Sequence, residues 1–350
     1  MMESPPLAAL SIWDDKTQRL RCVSVTAETA DVRTFTFMPE WPGRFEYRPG
    51  QYITVVLGAA GGELRRTYTL SSSPSRPYSI SLTAKMQRGS EGTRWMFDNV
   101  VPGTLLGAVG PHGSFTLKDR QRQKLLFIGA GSGVTPFISM TRYLADCYPG
   151  SDVCLISCSR SVQDILFETE LALLQRSMNS LKTGFVVESG SDTRYPHVGN
   201  LDASTLACLA ADYCQREVFC CGPSPFMTHV KKMLEQGGFD MRHYHEESFG
   251  ATGLTPSMPA IPSIAPVVRF RQTGAAIAAL PGETLLMTGR RAGVSMDSSC
   301  ESGICGACLV TKRSGEVVMS HNGGIADEEI AAGMVLACCS RPLTDIELEA

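Results

Sequence analysis

No uninterrupted apolar run in this chain approaches the roughly 18 residues that a membrane helix requires, so a helical membrane span is not expected. The opening MMESPPLAALSIW carries the acidic Glu3 where a secretory leader wants basic residues, and a cytoplasmic location follows as the expectation. Charge of one sign is also lacking. The 32 basic and 35 acidic residues are interleaved and leave a formal charge of -3, without the basic stripe that neutralises phosphates. Nucleic acid is therefore not an expected partner, and no internal repeat suggests a solenoid.

What the chain has in excess is cysteine. Thirteen are many for a reducing compartment, where disulfides are rare, so their positions matter more than their number. Cys300, Cys305 and Cys308 form a tight cluster with Cys338 and Cys339 downstream. Cys22, Cys147, Cys154, Cys158, Cys208, Cys214 and Cys220 stand singly among apolar residues and read as small core hydrophobes.

A length of 350 residues suits two or three domains of roughly 100 to 150 residues each. Between Leu20 and Leu117 the sequence reads as short strands (RCVSVTAET, VRTFTFMP, QYITVVLG, RRTYTLSS, YSISLTAK, LLGAVG) separated by Gly, Pro, Asn and Asp, the spacing of an antiparallel barrel. From Lys124 the pattern becomes strand KLLFIGAG, helix TPFISMTRYLADC, strand DVCLISCSR and helix LFETELALLQRS. Such alternation points to a parallel, doubly wound α/β sheet. Pro256, Pro259, Pro262 and Pro266 mark a semi-rigid tether. The expected modules are thus residues 17–120, 121–249, a linker at 250–266, and a small domain at 267–350 stapled by a cofactor.

Cys300-x4-Cys305-x2-Cys308, followed after 29 residues by Cys338, has the spacing with which plant-type ferredoxins hold a 2Fe-2S cluster. Anionic sulfur suits sulfide-bridged ferric iron, and Gly303 and Gly306 let the backbone approach it. A zinc site is the alternative, but zinc modules usually show paired C-x2-C knuckles, and the cluster contains one short pair. LACCS offers both Cys338 and Cys339 as the fourth ligand. Similarity to ferredoxins, whose last ligand follows Leu-Ala or Leu-Ser, selects Cys338.

Arg66-Thr67-Tyr68-Thr69-Leu70-Ser71-Ser72 resembles the Arg-x-Tyr-Ser/Thr-x-x-Ser signature of the ferredoxin-NADP reductase superfamily. By itself it could be an ordinary exposed strand. The resemblance implies that Arg66 binds FAD phosphate, Tyr68 stacks on the isoalloxazine, and the Thr69 hydroxyl bonds the flavin nitrogen that accepts hydride, with Ser72 closing the motif. Lys85 ends the strand SISLTAK. Gly92 and Thr93 open a helix-like RWMFDNV, where the family lays helix-start amides against the FAD pyrophosphate.

LLFIGAGSGVTPFISM places Gly129, Gly131 and Gly133 between an apolar strand and a helix, where dinucleotide phosphates approach backbone. Thr135-Pro136 narrows the likeness to the same reductase superfamily. Cys220-Cys221-Gly222-Pro223-Ser224-Pro225-Phe226-Met227 matches its Cys-Gly-Pro-x-x-Phe/Tyr-Met segment, which implies that Cys221 faces the nicotinamide. Glu247-Ser248-Phe249 is similar to the family's Glu-x-Phe ending against the flavin, with Glu247 as a positioning or proton-relay group. Arg160 and Asp164 lie near the expected adenosine ribose, and one arginine beside an acid favours NADH over NADPH. His243 and His245 could hint at a metal, though a packed pair is the simpler reading.

Together the motifs resemble reductase components of Rieske-type oxygenases that demethylate quaternary ammonium compounds, above all glycine betaine monooxygenase reductases, on the stretches REVFCCGPSPFM, GFDMRHYHEESFGAT and GEVVMSHNGGIADEEIAAGMVLACCS. Hybrid cluster protein reductases are next. The resemblance implies an FAD β-barrel domain, a doubly wound NAD domain and an α+β β-grasp ferredoxin domain that pass electrons from NADH through FAD to the 2Fe-2S cluster. The implied acceptor is a Rieske-type oxygenase, with a hybrid cluster protein as the alternative acceptor; a reading of another class makes the chain itself a non-catalytic iron–sulfur binding or sensing module. Trp13, Trp41 and Trp95 are scattered and read as packing residues, so no aromatic cage for a quaternary ammonium is expected in this chain.

Overall fold

The computed structural model describes residues 10–59, 62–87, 89–118, 120, 122–190, 192–248, 265–298, 301, 303, 306–321, 324–325 and 327–350. Cys300, Cys305, Phe249 and residues 250–264 of the expected tether lie outside the described residues. The chain divides between Phe249 and Gly250 into two compact units.

Alternating burial builds the first sheet. Strands β1 (Leu20–Ala27), β2 (Val32–Pro39), β3 (Tyr52–Ala59), β4 (Gly62–Thr69) and β5 (Ile80–Lys85), with helix α1 (Glu91–Asn99) before β6 (Leu105–His112), form one antiparallel sheet ordered β4-β3-β6-β1-β2-β5. Leu20, Phe35, Phe37, Ile53, Val55, Leu57, Ile80 and Leu82 are all fully buried on its inner face, the period of 2 that a half-buried strand imposes. The two edges meet. Leu70, the residue after β4, bridges Leu82 of β5, and the Ser71 amide donates to the Ser81 carbonyl at 2.8 Å. This closure makes the sheet a barrel and removes its open edges.

The second sheet is wholly parallel. It comprises β7 (Leu125–Ala130), α2 (Thr135–Cys147), β8 (Val153–Ser159), α3 (Glu168–Ser177), β9 (Leu181–Val187), β10 (His197–Val198), α4 (Ala203–Leu209), β11 (Glu217–Gly222), α5 (Ser224–Gln236) and β12 (Tyr244–Ser248), in the order β10-β9-β8-β7-β11-β12. Strands β7, β8 and β11 are buried almost end to end, as a sheet covered by helices on both faces requires. Strand order reverses at β7, which pairs with β8 on one side and β11 on the other. One apolar core spans both modules: Val32 and Phe115 pack with Phe127, Phe137, Phe219 and Cys221.

The second unit holds β13 (Val267–Phe270), β14 (Ala276–Ala278), α6 (Leu285–Arg291), β15 (Leu309–Ser314), β16 (Val317–Met319), α7 (Asp327–Ala331), β17 (Met334–Leu336), β18 (Ser340–Pro342) and β19 (Ile346–Leu348). Its five-stranded sheet, β14-β13-β19-β15-β17, is mixed, with β13 and β19 parallel, and α6 packs its buried Leu285 and Leu286 into the core with Phe270 and Leu336. This is the β-grasp arrangement, so the chain is multi-domain: barrel, doubly wound α/β domain and α+β domain. Among the described residues no helix is long and apolar enough to cross a membrane.

The single cysteines divide. Cys22, Cys154 and Cys220 are buried and Cys158 is half-buried, but Cys147, Cys208 and Cys214 are exposed. Their apolar sequence neighbours misled, because each lies at or just beyond the end of a helix or in a short turn, where burial does not follow local composition. Trp41, at 62% exposed, likewise departs from the expected packing role.

Candidate flavin, nicotinamide and cluster sites

The Arg66–Ser72 segment runs along β4 to the seam where the barrel closes. Arg66 lies over the start of α1, so closely that a side chain on Gly92 would meet its Cγ at 2.6 Å and its Nε at 2.8 Å. Its guanidinium has no carboxylate partner among the described residues; the one bond is from Nη1 to the Arg65 carbonyl, 2.8 Å. An unpaired guanidinium beside the N-terminus of a nine-residue helix, with Gly92 and Thr93 in the first turn, fits a phosphate. Tyr68 is partly exposed, yet its hydroxyl is buried without a hydrogen-bond partner among the described residues, and burial pushes its pKa up to about 12. Thr69 is buried, and its hydroxyl makes no hydrogen bond among the described residues. Ser72 differs: its hydroxyl is taken by the Tyr47 hydroxyl at 2.8 Å and the Ser81 amide at 3.0 Å, a seam-closing role.

At the reversal of strand order, the loop after β7 meets the end of β11. A Cβ on Gly133 would lie 2.3 Å from the Cys221 carbonyl oxygen and 2.8 Å from the Gly222 Cα, so only glycine allows the two backbones to touch. Gly131 has a φ of +54°, Thr135 Oγ1 donates to the Ser132 carbonyl at 2.9 Å, and Pro136 occupies the first turn of α2. Each choice suits a tight strand-to-helix turn at the carboxyl edge of a parallel sheet, the usual dinucleotide crevice. Gly222 ends β11, and the exposed Pro223 caps α5.

Alternation sends Cys220 and Cys221 to opposite faces. Cys220 packs beneath α4 and α5, whereas Cys221 joins the core shared with Val32 and Phe115 of the barrel module. Register then pairs Cys221 with Glu247 of β12. Burial holds the Cys221 thiol well above its usual pKa, and it pushes the Glu247 carboxyl up to about 8. Glu247 Oε2 is buried with no hydrogen-bond partner among the described residues. Burial therefore favours the protonated form of both groups.

Several residues without a sequence signal organise these sites. Arg142 of α2 grips Glu170 through Nε at 2.7 Å and Nη2 at 2.6 Å while Nη1 donates to the Ser71 carbonyl at 2.5 Å; Ser139 donates to the Ser72 carbonyl at 2.6 Å. Glu217 is fully buried and accepts from the Arg122 amide at 3.0 Å, with His245 Nε2 at 2.6 Å and His243 Nδ1 at 3.1 Å. The two histidines are thus packing partners of a buried carboxylate, and His245 also stacks on Phe219 at 4.6 Å. Arg160, Asp164 and Lys85 gather with Asp31 in one charged group. Burial acts to raise the Asp31 carboxyl, but Lys85, Thr29 and Arg160 hold it below its usual value.

In the second unit, Cys308 and Cys338 are both buried and adjacent: the Cys338 amide donates to Cys308 Sγ at 3.4 Å. Cys339 instead turns its thiol to the Leu336 carbonyl at 3.7 Å. Gly306 has φ +73°, and a Cβ there would come to 3.1 Å from the Gly324 carbonyl oxygen, leaving a loop that only glycine can close. An amide aimed at a cysteine sulfur within a glycine-lined loop fits an iron–sulfur cluster.

Three family models match in order: an oxidoreductase FAD-binding domain over residues 19–117, an oxidoreductase NAD-binding domain over 127–232, and a 2Fe-2S iron–sulfur cluster binding domain over 268–343. They define the class: an NAD(P)H-dependent flavin and iron–sulfur oxidoreductase. The stachydrine N-demethylase reductase subunit of Rhizobium meliloti is 41% identical, over 97% of this chain and 98% of the relative. The glycine betaine monooxygenase reductase subunit of Chromohalobacter salexigens is 38% identical, over 96% of each. Phthalate dioxygenase reductase, described as modular for electron transfer from pyridine nucleotides to 2Fe-2S, shares the fold, with a TM-score of 0.67 and 24% identity over 96% of this chain and 99% of that one. The chain belongs to the family of demethylase and monooxygenase reductase subunits that carry FAD-binding, NAD-binding and 2Fe-2S domains in one polypeptide. It carries electrons from NADH through FAD to the cluster.

Proposed function

We propose that this chain supplies single electrons to a separate Rieske-type oxygenase component that demethylates glycine betaine or a related quaternary ammonium compound, in the cytoplasm where NADH is available. The supporting observation is identity of 41% sustained over 97% of the chain to a stachydrine N-demethylase reductase subunit. The bound groups supply one chemistry: hydride brings two electrons together, flavin can hold both, and a 2Fe-2S cluster accepts them one at a time.

The residues of the chain have the following roles in this reading. Arg66, Gly92 and Thr93 bind FAD phosphate, with Lys85 nearby; Tyr68 offers a ring face to the isoalloxazine and Thr69 a free hydroxyl to its reactive edge. Ser72 keeps the seam closed beneath them. Gly131, Gly133, Thr135, Pro136, Gly222 and Pro223 shape the crevice for NADH, Arg160 and Asp164 flank its ribose, and Phe249 covers the flavin side. Cys221 presents a small neutral thiol toward the nicotinamide, and Glu247 holds a proton next to it. Cys300, Cys305, Cys308 and Cys338 ligate the cluster. The modules run over 17–120, 121–249 and 267–350, joined by the tether at 250–266.

Reconstitution tests the proposal. With NADH and a candidate oxygenase, the reductase should couple NADH oxidation to demethylation and formaldehyde release. Coupling to a hybrid cluster protein with higher kcat/KM, and none to the oxygenase, would move the assignment to that partner.

A further inference from the structure

Arg160 is the first residue after β8, at the carboxyl edge of the parallel sheet. In open α/β folds the adenosine ribose lies there, and an arginine at this place ordinarily receives the 2′-phosphate of NADPH. Here that arginine is already engaged from two sides. Its Nη2 lies 3.2 Å from Asp164 Oδ1 and 3.2 Å from Asp31 Oδ2. Asp164 is local and is steadied by the Ser161 hydroxyl at 2.9 Å. Asp31 comes from the other module, in the turn between β1 and β2 of the barrel.

Asp31 is held in place rather than free to swing. Thr29 Oγ1 donates to its Oδ1 at 3.1 Å, Lys85 Nζ stands 3.4 Å from its Oδ2, and its backbone carbonyl accepts from the Met86 amide at 2.7 Å. The group contains two cations, Arg160 and Lys85, and two anions, Asp31 and Asp164, so its charge sums to zero. A dianionic phosphate entering it would have to displace carboxylates from the guanidinium, while the neutral ribose hydroxyl of NADH would not.

We propose that Asp31 is a specificity-determining residue for the nicotinamide cofactor: the flavin-binding barrel places a carboxylate on Arg160 and thereby disfavours NADPH. The inference rests on reading the first unit as a flavin and nicotinamide reductase. It adds a residue of the barrel to the determinants of a site otherwise built by the parallel sheet.

The test is calorimetric titration of the FAD-loaded full chain with 2′,5′-ADP and, separately, 5′-AMP. Removing one partly exposed charge contact should change affinity by up to about fivefold. Asp31→Asn should therefore tighten 2′,5′-ADP by about that factor and shift 5′-AMP by less than about twofold. Asp31→Glu, which keeps the charge, should retain the wild-type ratio, and adding Arg160→Gln to Asp31→Asn should erase the gain. An unchanged ratio in Asp31→Asn, the same gain in Asp31→Glu, or a gain that survives loss of Arg160 would overturn the proposal. No oxygenase enters this experiment, so failed coupling to an oxygenase leaves Asp31 standing. Failure of the wild-type protein to bind 5′-AMP at all would overturn this inference together with the nicotinamide-site reading beneath it.

Discussion

Glu247 carries the most informative ionisation in the first unit. One of its oxygens is buried without a partner among the described residues, and burial raises its pKa to about 8 from the ordinary carboxyl value of 4.5. The sign of the consequence is fixed by linkage. Between those two values the folded protein keeps a proton that the unfolded chain has released, so folding stability is greatest below the lower pKa and falls as pH rises toward the upper one. Melting of the wild-type first unit should therefore shift downward between pH 5 and 8, by roughly 2–4 °C given the partial exposure of the group. Glu247→Gln should flatten that slope. A variant that follows the wild-type curve would assign the pH dependence elsewhere. The same substitution should remove any step near pH 8 in the rate of flavin reduction by NADH, because the only change is loss of a titrating proton next to Cys221.

At the scale of elements, the contact between α2 and the barrel seam sets how the two crevices face each other. Arg142 satisfies the Ser71 carbonyl and Glu170 at once, and its side chain is 15% exposed. Arg142→Leu would leave a carboxylate and a carbonyl unpaired, at a cost of about 1–3 kcal/mol. The urea midpoint should fall accordingly and flavin reduction should slow, while FAD stays bound. Unchanged reduction kinetics would show that α2 does not position the seam. Much of this level was legible beforehand. The alternation of apolar residues in β2 (Phe35, Phe37) and β5 (Ile80, Leu82, Ala84) and the continuous apolar runs of β7, β8 and β11 carry their own period, so strands, barrel and parallel sheet follow from local sequence. What local sequence cannot carry is which backbones meet. Gly133 and Cys221 stand out as motif residues, but their contact depends on β7 and β11 being neighbours across the reversal of strand order. Asp31 and Arg160 are 129 positions apart, and neither belongs to a motif that names the other. Arg142 and Glu217 had no signal because a lone charged residue in a helix or strand reads as solvated until its partners are known.

At the scale of the whole molecule, the chain is organised as a divider of electron pairs: one unit holds flavin and nicotinamide crevices together in a shared apolar core, and the other carries the cysteine loop. The arrangement requires that loss of the cluster spare the flavin half. Anaerobic mixing of the full chain with NADH, followed by absorbance and low-temperature electron paramagnetic resonance, tests this most directly, with Cys305→Ser as the comparison. In the wild-type protein NADH should bleach the flavin and then generate the signal of a reduced 2Fe-2S cluster. In Cys305→Ser the flavin should still bleach at a rate within about twofold, with no cluster signal, since the two cofactors are bound by separate modules. A wild-type cluster that dithionite reduces but NADH does not, or a folded, FAD-loaded Cys305→Ser protein whose flavin no longer accepts electrons from NADH, would contradict the account.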